Sequence, residues 1–359
     1  MAACPVLVKL TILYALVMLE SSSAFGVAPL HFASSSSVAS KTRLQMSTAD
    51  TIQEEQVDLP SGASMQILSS QPQKADPKLP PILFLHGSFH GAWCWSEKYF
   101  PYFTSLGYPV VALSWRGTEK TFAGEGVKKV KISEHVADLN AVLEEYLPNK
   151  FKGLPLNKPI LVSHSFGGLS IMKYLEEFPE KCKNLSGAVI ACSVPPSGNG
   201  KMTMRFLRRS LRDSWKVTKG LAMKKVINDA PLCRELFFGG VEDYHEVSDE
   251  DVTRYQGHFE RDTVATIDLL DLAKKLPSAA TDDSGVALFM NQAQMPPFLV
   301  IGATEDFIVD REGINETATY FGLDRPVIVD SPHDIMLGRK WKNAADEIHN
   351  WVQNVVLKQ

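Results

Sequence analysis

From Pro81 onward the chain repeats one theme: a short apolar run, a sharp turn, then an amphipathic stretch. The runs are Ile82-Leu-Phe-Leu85, Pro109-Val-Val-Ala-Leu113, Pro159-Ile-Leu-Val162, Leu185-Ser-Gly-Ala-Val-Ile-Ala191, Phe298-Leu-Val-Ile301 and Val327-Ile-Val329. They are continuous rather than alternating, as strands buried on both faces of a parallel sheet must be. Between them apolar residues return at three-to-four spacing. Ile132, Val136, Leu139, Val142, Leu143 and Leu147 predict one helix, with Ser133 as its cap and Pro148 as its stop. Leu169, Met172 and Leu175 predict a second that ends before Pro179, and Trp341–Leu357 predicts a third, with Ala345, Ile348, Trp351, Val352 and Val355 on one face. Strand–helix–strand repetition of this kind gives an α/β fold, a right-handed, doubly wound, mostly parallel sheet.

Two stretches depart from the rhythm. Ile52–Ser70 alternates around Ser61-Gly62 and predicts an antiparallel hairpin at the sheet edge. Between Ala191 and Pro296 the patterns are helical (Met202–Leu211, Leu221–Ile227, Ala230–Phe238, Asp249–Tyr255, Thr263–Leu276), with no strand. An insertion of that length is too long for a loop. It predicts a helical cap inserted after the sixth strand, opened by Pro195-Pro196-Ser197-Gly198 and closed by Met295-Pro296-Pro297. The expected organisation is a core over residues 47–196 and 296–359 with the cap at 197–295.

Residues 1–46 are expected to be an address. Lys9 precedes the apolar run Leu10–Leu19, too short to cross a bilayer core of about 30 Å but suited to a signal peptide. From Ser21 to Ala49 the chain is Ser-rich and acid-free, with Lys41 and Arg43. That composition is transit-like, and with the junction Ser23-Ala24-Phe25 it resembles the bipartite presequence of plastid proteins in algae with secondary plastids. The alternative is a secretory signal followed by a linker. No later segment has the apolar length of a membrane span.

The 359 residues carry 37 Lys+Arg against 41 Asp+Glu, a net charge of −4, with 45% hydrophobic and 22% charged content. That balance excludes wholesale disorder and argues against nucleic acid as a partner. Cys4, Cys94, Cys182, Cys192 and Cys233 show no metal-ligand spacing. Gly198-Asn199-Gly200-Lys201 lacks the glycine spacing of a phosphate loop.

Chemistry enters at Ser163-His164-Ser165-Phe166-Gly167-Gly168, on the seam of a predicted strand and helix. A tight strand–turn–helix needs small residues two positions either side of its apex. Ser163 and Gly167 satisfy this, Ser163 standing where glycine is usual. Such a turn lifts the Ser165 hydroxyl above the sheet and aims the Phe166 N–H at a developing oxyanion. After the first parallel strand, His86-Gly87-Ser88 offers a second donor, the Ser88 N–H, with His86 expected to fix the loop rather than act as a base. A metal shared by His86 and His90 is not expected, because no third ligand completes the spacing. Asp306 and His333 each follow a strand. The order Ser165, Asp306, His333 supplies nucleophile, orienting carboxylate and base. Glu305 and Asp310 are the rival acids, and Asp334 is expected to face solvent.

From about residue 80 onward the chain resembles the α/β-hydrolase superfamily. His86-Gly87-Ser88-Phe89-His90-Gly91-Ala92-Trp93-Cys94-Trp95 is similar to the corresponding loop of plant methylesterases and hydroxynitrile lyases, as is His333 followed by Met336-Leu337. The lyases have Thr at the position of Gly87 and Lys at that of Asp334, so the resemblance favours the ester-cleaving branch. It implies a serine hydrolase with Ser165, Asp306 and His333 catalytic and an oxyanion hole at Ser88 and Phe166. No cofactor or metal is called for. The expected substrate is a small-molecule or lipid-like ester, held by the cap. Phe89 and Trp93 head the candidate pocket residues, with Trp95, Phe206, Trp215, Phe237, Phe238 and Phe259 behind them. The Arg205–Arg212 run is either a solvated basic face or a lid for anionic or lipid-like substrates. The alternatives are a lyase or cofactor-free peroxidase of the same fold, or a receptor that keeps the triad without turnover.

Overall fold

The computed structural model describes residues 52–74, 76–152, 158–239, 246–292 and 294–358. The expected presequence, residues 1–46, lies outside them. Among the described residues ten strands occur in chain order: β1 Gln53–Asp58, β2 Ser64–Ser70, β3 Ile82–Leu85, β4 Val110–Leu113, β5 Lys129–Val130, β6 Ile160–His164, β7 Gly187–Ala191, β8 Thr266–Ile267, β9 Phe298–Glu305 and β10 Val327–Pro332. Eight form one sheet in the order β1-β2-β4-β3-β6-β7-β9-β10. The hairpin β1–β2 turns at Gly62, whose φ of 84° suits a residue without a Cβ, and it pairs antiparallel onto β4. The other neighbours are parallel, and β3, β4, β6 and β7 are buried along their whole length, as their unbroken apolar runs require.

Register sets the site. Leu85 pairs with Ser163 and His164 with Ala191, so the loops leaving β3, β6 and β7 emerge side by side. Between β9 and β10 the register shifts after Val329, and Glu305 comes opposite Pro332, which places Asp306 and His333 immediately past a shared edge. Every loop expected to carry chemistry leaves the carboxyl end of a strand.

Helix Phe166–Glu177 ends before Pro179, as expected, and Trp341–Asn354 buries Ala344, Ala345, Ile348, Trp351 and Val352 against the core. Pro148, expected as a stop, is not one. Ile132–Ala141 widens into a π turn at Val142–Tyr146 and then runs through Leu147–Lys150. Pro148 follows directly on the π turn, where the wider turn already interrupts the regular i→i−4 ladder that a proline would break. Among the described residues outside the β7–β9 segment, three α-helices have no counterpart among the sequence expectations: Trp93–Ser96, Tyr99–Ser105 and Arg311–Tyr320. The first two carry an aromatic core in which Trp95 stacks on Phe84 at 4.9 Å.

Between β7 and β9 the chain is chiefly helical, including Asn199–Arg209, Leu211–Val217 and Asp249–Arg261. The predicted helix Thr263–Leu276 is instead β8 followed by Leu269–Ala273, with Asp268 capping the latter through Leu270 N–H and Asp271 N–H. β8 pairs parallel with β5, so a two-residue ladder ties the helical segment to the core. A second tie is Arg205, whose guanidinium donates twice to Asp310 at 2.6 Å. Among the described residues no helix is long and apolar enough to cross a membrane.

Candidate active site

Ser165 stands at the apex between β6 and helix Phe166–Glu177 with φ 53° and ψ −124°, a conformation that side chains adopt only where the surroundings enforce it. The enforcement is visible. Ser165 N–H donates to Ala191 O at 3.1 Å and Gly168 N–H to Ser165 O at 3.0 Å. A Cβ at Gly167 would fall 2.7 Å from His86 O, and one at Gly168 would fall 2.1 Å from Ser193 Oγ, so neither position takes a side chain. Ser163, small but not glycine, fits because its hydroxyl turns away and donates to Val189 O at 3.2 Å.

Gly87 packs on the apex, where a Cβ would meet Ser165 Cβ at 2.7 Å. His86 holds this loop as expected: its Nδ1 donates to Gly87 O at 2.8 Å and its Nε2 accepts from Trp115 N–H at 3.0 Å. Burial pushes the His86 pKa down to about 3, so the ring stays neutral. Ser88 and Phe166 both line the cavity above Ser165. Phe166 is the first residue of its helix, so its N–H has no acceptor within the helix. The Ser88 N–H makes no hydrogen bond among the described residues.

His333 and Ser165 line the same cavity. His333 Nδ1 lies 2.9 Å from both oxygens of Asp306. Asp306 is itself fixed, its Oδ1 accepting from Ile308 N–H and Val309 N–H at 2.8 Å. Burial alone would lower the His333 pKa, but the charge and hydrogen bond of Asp306, with the charge of Asp334 behind them, outweigh it and raise the pKa. The rival acids are occupied elsewhere: Glu305 pairs with Arg339, while Asp310 caps helix Arg311–Tyr320 and holds Arg205.

Asp334 departs from expectation. It is fully buried, not solvent-facing. Its Oδ2 meets His90 Nε2 at 2.9 Å and its Oδ1 lies 3.8 Å from His164 Nε2. His90 Nδ1 bonds Ser88 O at 2.8 Å, and His164 Nε2 bonds His333 O at 2.9 Å. Although burial opposes it, His90 and then His164 and His333 lower the Asp334 pKa and keep it charged. The loop bearing Ser88 and the loop bearing His333 are thus joined through one buried carboxylate. Both ring nitrogens of His90 are used in this way, which leaves none for a metal shared with His86. Two trios do bring ligand-type atoms within 4.8 Å, His164–His333–Asp334 and Cys192–Asp306–His333. Both depend on His333. Burial raises the Cys192 pKa well above the ordinary thiol value, and a protonated thiol is a poor ligand.

The cavity has a volume of about 750 Å³. Phe89, Phe206 and Phe237 line it, in accord with expectation. Trp93 does not: its indole donates to Asp262 Oδ2 at 2.8 Å and its ring stacks on His258 at 4.2 Å. Trp95, Phe238 and Phe259 are core, and Trp215 is exposed to solvent.

Residues 82–341 match the family model described as the alpha/beta hydrolase family. The chain belongs to the alpha/beta hydrolase family. Among relatives of this chain, methyl jasmonate esterase 1 of Vitis vinifera is 32% identical over 115 residues, 32% of this chain and 40% of that protein. Epoxide hydrolase 1 of Caenorhabditis elegans is 24% identical over 243 residues, 65% of this chain and 55% of that protein. The chain therefore spans about half the length of these relatives. The crystal structure of a putative aryl esterase from Burkholderia cenocepacia superposes with a TM-score of 0.54 at 17% identity, covering 86% of this chain and all of that one, and supports the fold.

Two features of this alpha/beta hydrolase lay beyond sequence reasoning. The apolar wall also includes Met202, Val217, Leu221 and Ile267. Helical spacing marks such residues as inward-facing without saying whether they meet core or cavity. Of the arginine run, Arg205 and Arg209 turn to Asp310 and Glu312, whereas Arg208 and Arg212 stay exposed, and the same helix gives Met202 and Phe206 to the cavity wall.

Proposed function

We propose that the protein is a serine hydrolase that cleaves a carboxylic ester through an acyl-enzyme intermediate. One observation carries the reading: Ser165, held in a strained apex, shares a cavity with His333, whose Nδ1 is pinned to Asp306 at 2.9 Å. With Nδ1–H directed at Asp306, His333 presents a lone pair at Nε2. Nε2 takes the Ser165 proton as Oγ bonds to the acyl carbon. The carbonyl π pair moves to oxygen, and the Ser88 and Phe166 N–H groups receive that charge. His333 then gives its proton to the departing alkoxide. Water repeats the sequence at the acyl-enzyme, and the acid leaves.

Oxyanion donors account for roughly a hundred- to a thousand-fold each in such chemistry, so the rigidity of the Gly87–Ser165 contact matters as much as the nucleophile. That contact also supports hydrolysis over the same-fold lyase reading. A threonine at position 87, as the lyases have, would clash with Ser165 Cβ on this backbone. The test is Ser165→Ala with a fluorophosphonate probe and short-chain esters. Labelling and turnover are both expected to disappear in a folded variant, and labelling that survives would refute the assignment. Product analysis separates ester cleavage from lyase or peroxidase chemistry.

A further inference from the structure

The charges lining the cavity are lopsided. The chain as a whole is acidic, at −4, yet the cavity wall carries Arg116, Lys128, Lys129 and Lys224 against one acid, Asp262. Pairing removes two of these five. Arg116 is neutralised by Asp138 through bonds of 2.7 and 2.8 Å, and Asp262 is neutralised by Arg261 at 2.9 Å. The three lysines remain. Among the described residues none of them makes an ion pair, and the Lys224 ammonium has only Thr263 O, at 2.7 Å.

Their backbones are fixed by the seam between core and helical segment. Lys129 pairs with Thr266 in the β5–β8 ladder, and Lys128 O accepts from Thr266 N–H at 3.0 Å. Burial, and after it the charge of Lys128, lowers the Lys224 pKa. Like charges gathered on a concave wall without counter-ions focus a positive potential into that space. Three like charges on one wall disfavour one another, and an anion placed among them relieves that repulsion.

We infer that Lys128, Lys129 and Lys224 form an anion-binding subsite of the ester cavity, so that the preferred substrate is an ester bearing a carboxylate or similar anionic group away from the scissile bond. This inference rests on the hydrolase reading and adds the substrate class to it. The apolar wall would take the hydrocarbon body of the substrate, the triad the ester, and the lysines the charged end. Anionic esters should also arrive faster at low ionic strength.

The experiment compares esters that differ only in that charge. On the acyl side the pair is p-nitrophenyl octanoate and the mono-p-nitrophenyl ester of octanedioic acid. On the alcohol side it is the heptyl ester and the ω-carboxyhexyl ester of acetic acid. The readout is the ratio of kcat/KM, anionic over neutral, for the wild type and for K128Q/K129Q/K224Q. At low salt the wild type should favour the anionic member of at least one pair. The triple variant should lose about 3- to 100-fold of that ratio, the range for three partly exposed charge contacts, and molar salt should erode it likewise. K128Q alone, an exposed change, should give part of the loss and guards against misfolding of the triple variant. Neutral esters turned over with no anionic preference in either pair, or with a preference untouched by the lysine changes, would overturn the subsite and leave the hydrolase reading standing. No turnover of any ester, neutral or anionic, would overturn the hydrolase reading instead.

Discussion

Replacing Asp306 by asparagine isolates what the carboxylate does for His333. Asp306 Oδ1 accepts from two backbone donors, Ile308 N–H and Val309 N–H. An amide nitrogen cannot accept, so the asparagine oxygen must stay with those donors and its NH2 group must take the place of Oδ2. That place is 2.9 Å from His333 Nδ1. Nδ1 then faces that donor and, also at 2.9 Å, an oxygen already shared by two backbone N–H groups, so the accepting tautomer is favoured and the ring proton moves to Nε2. The nitrogen that should accept the Ser165 proton then carries one of its own. Loss of the correct tautomer costs on the order of 10⁴ in kcat, or about 5.4 kcal/mol of barrier.

The variant should remain folded because both backbone bonds survive. Asp306→Ala behaves differently. It leaves two N–H groups without their acceptor, at about 1–3 kcal/mol each if they stay dry, yet it leaves the imidazole free to choose its tautomer. Thermal melting should therefore rank wild type above Asn above Ala, whereas the Ala variant should turn over no slower than the Asn variant. The assay is single-turnover hydrolysis of a short alkyl ester alongside melting of each protein. An Asn variant within tenfold of wild type would sink the tautomer argument.

Two more outcomes follow from the geometry. His333 must be neutral to act as base, and its pKa is raised above the ordinary histidine value of 6.5. Activity is therefore absent when the ring is protonated and should appear as pH rises. The acid limb of kcat/KM should have its midpoint above 6.5, and a midpoint below that value would contradict the role given to Asp306 and Asp334. Arg205→Ala removes a two-bond contact to a buried carboxylate and should cost about 1.5–3 kcal/mol, read as a melting temperature lower by several degrees. Because that guanidinium does not line the cavity, KM for anionic esters should not change; a large rise would reinstate the arginines as substrate contacts.

The parallel strands were legible because burial on both faces leaves an unbroken apolar run, a pattern few other structures produce. Ser165, Asp306 and His333 were legible by position, each directly past such a run. Helix Arg311–Tyr320 was not: its buried face is Gly313, Ile314, Thr317, Ala318 and Tyr320, in which only Ile314 and Tyr320 are large, too few to show a periodicity. The β5–β8 ladder is two residues long, below what any alternation can reveal. Asp334 was misplaced because its partner His90 lies 244 positions away, and a carboxylate beside a loop histidine gives no local sign of burial. The aromatic pair Trp93 and Trp95 shows the same gap. Sequence marks both as apolar and cannot say that one braces Asp262 while the other fills the core beneath Phe84.

The ladder between Lys129–Val130 and Thr266–Ile267, with the Arg205–Asp310 contact, makes the cap a poor candidate for modular exchange. Anyone grafting it onto another scaffold to transfer selectivity would have to carry the β5 dipeptide and the residue that caps helix Arg311–Tyr320, two sequence islands outside the graft. Diversification by recombination is constrained in the same way, so variants of this protein with new selectivity should arise more readily by changing single side chains within the cavity than by swapping the whole cap.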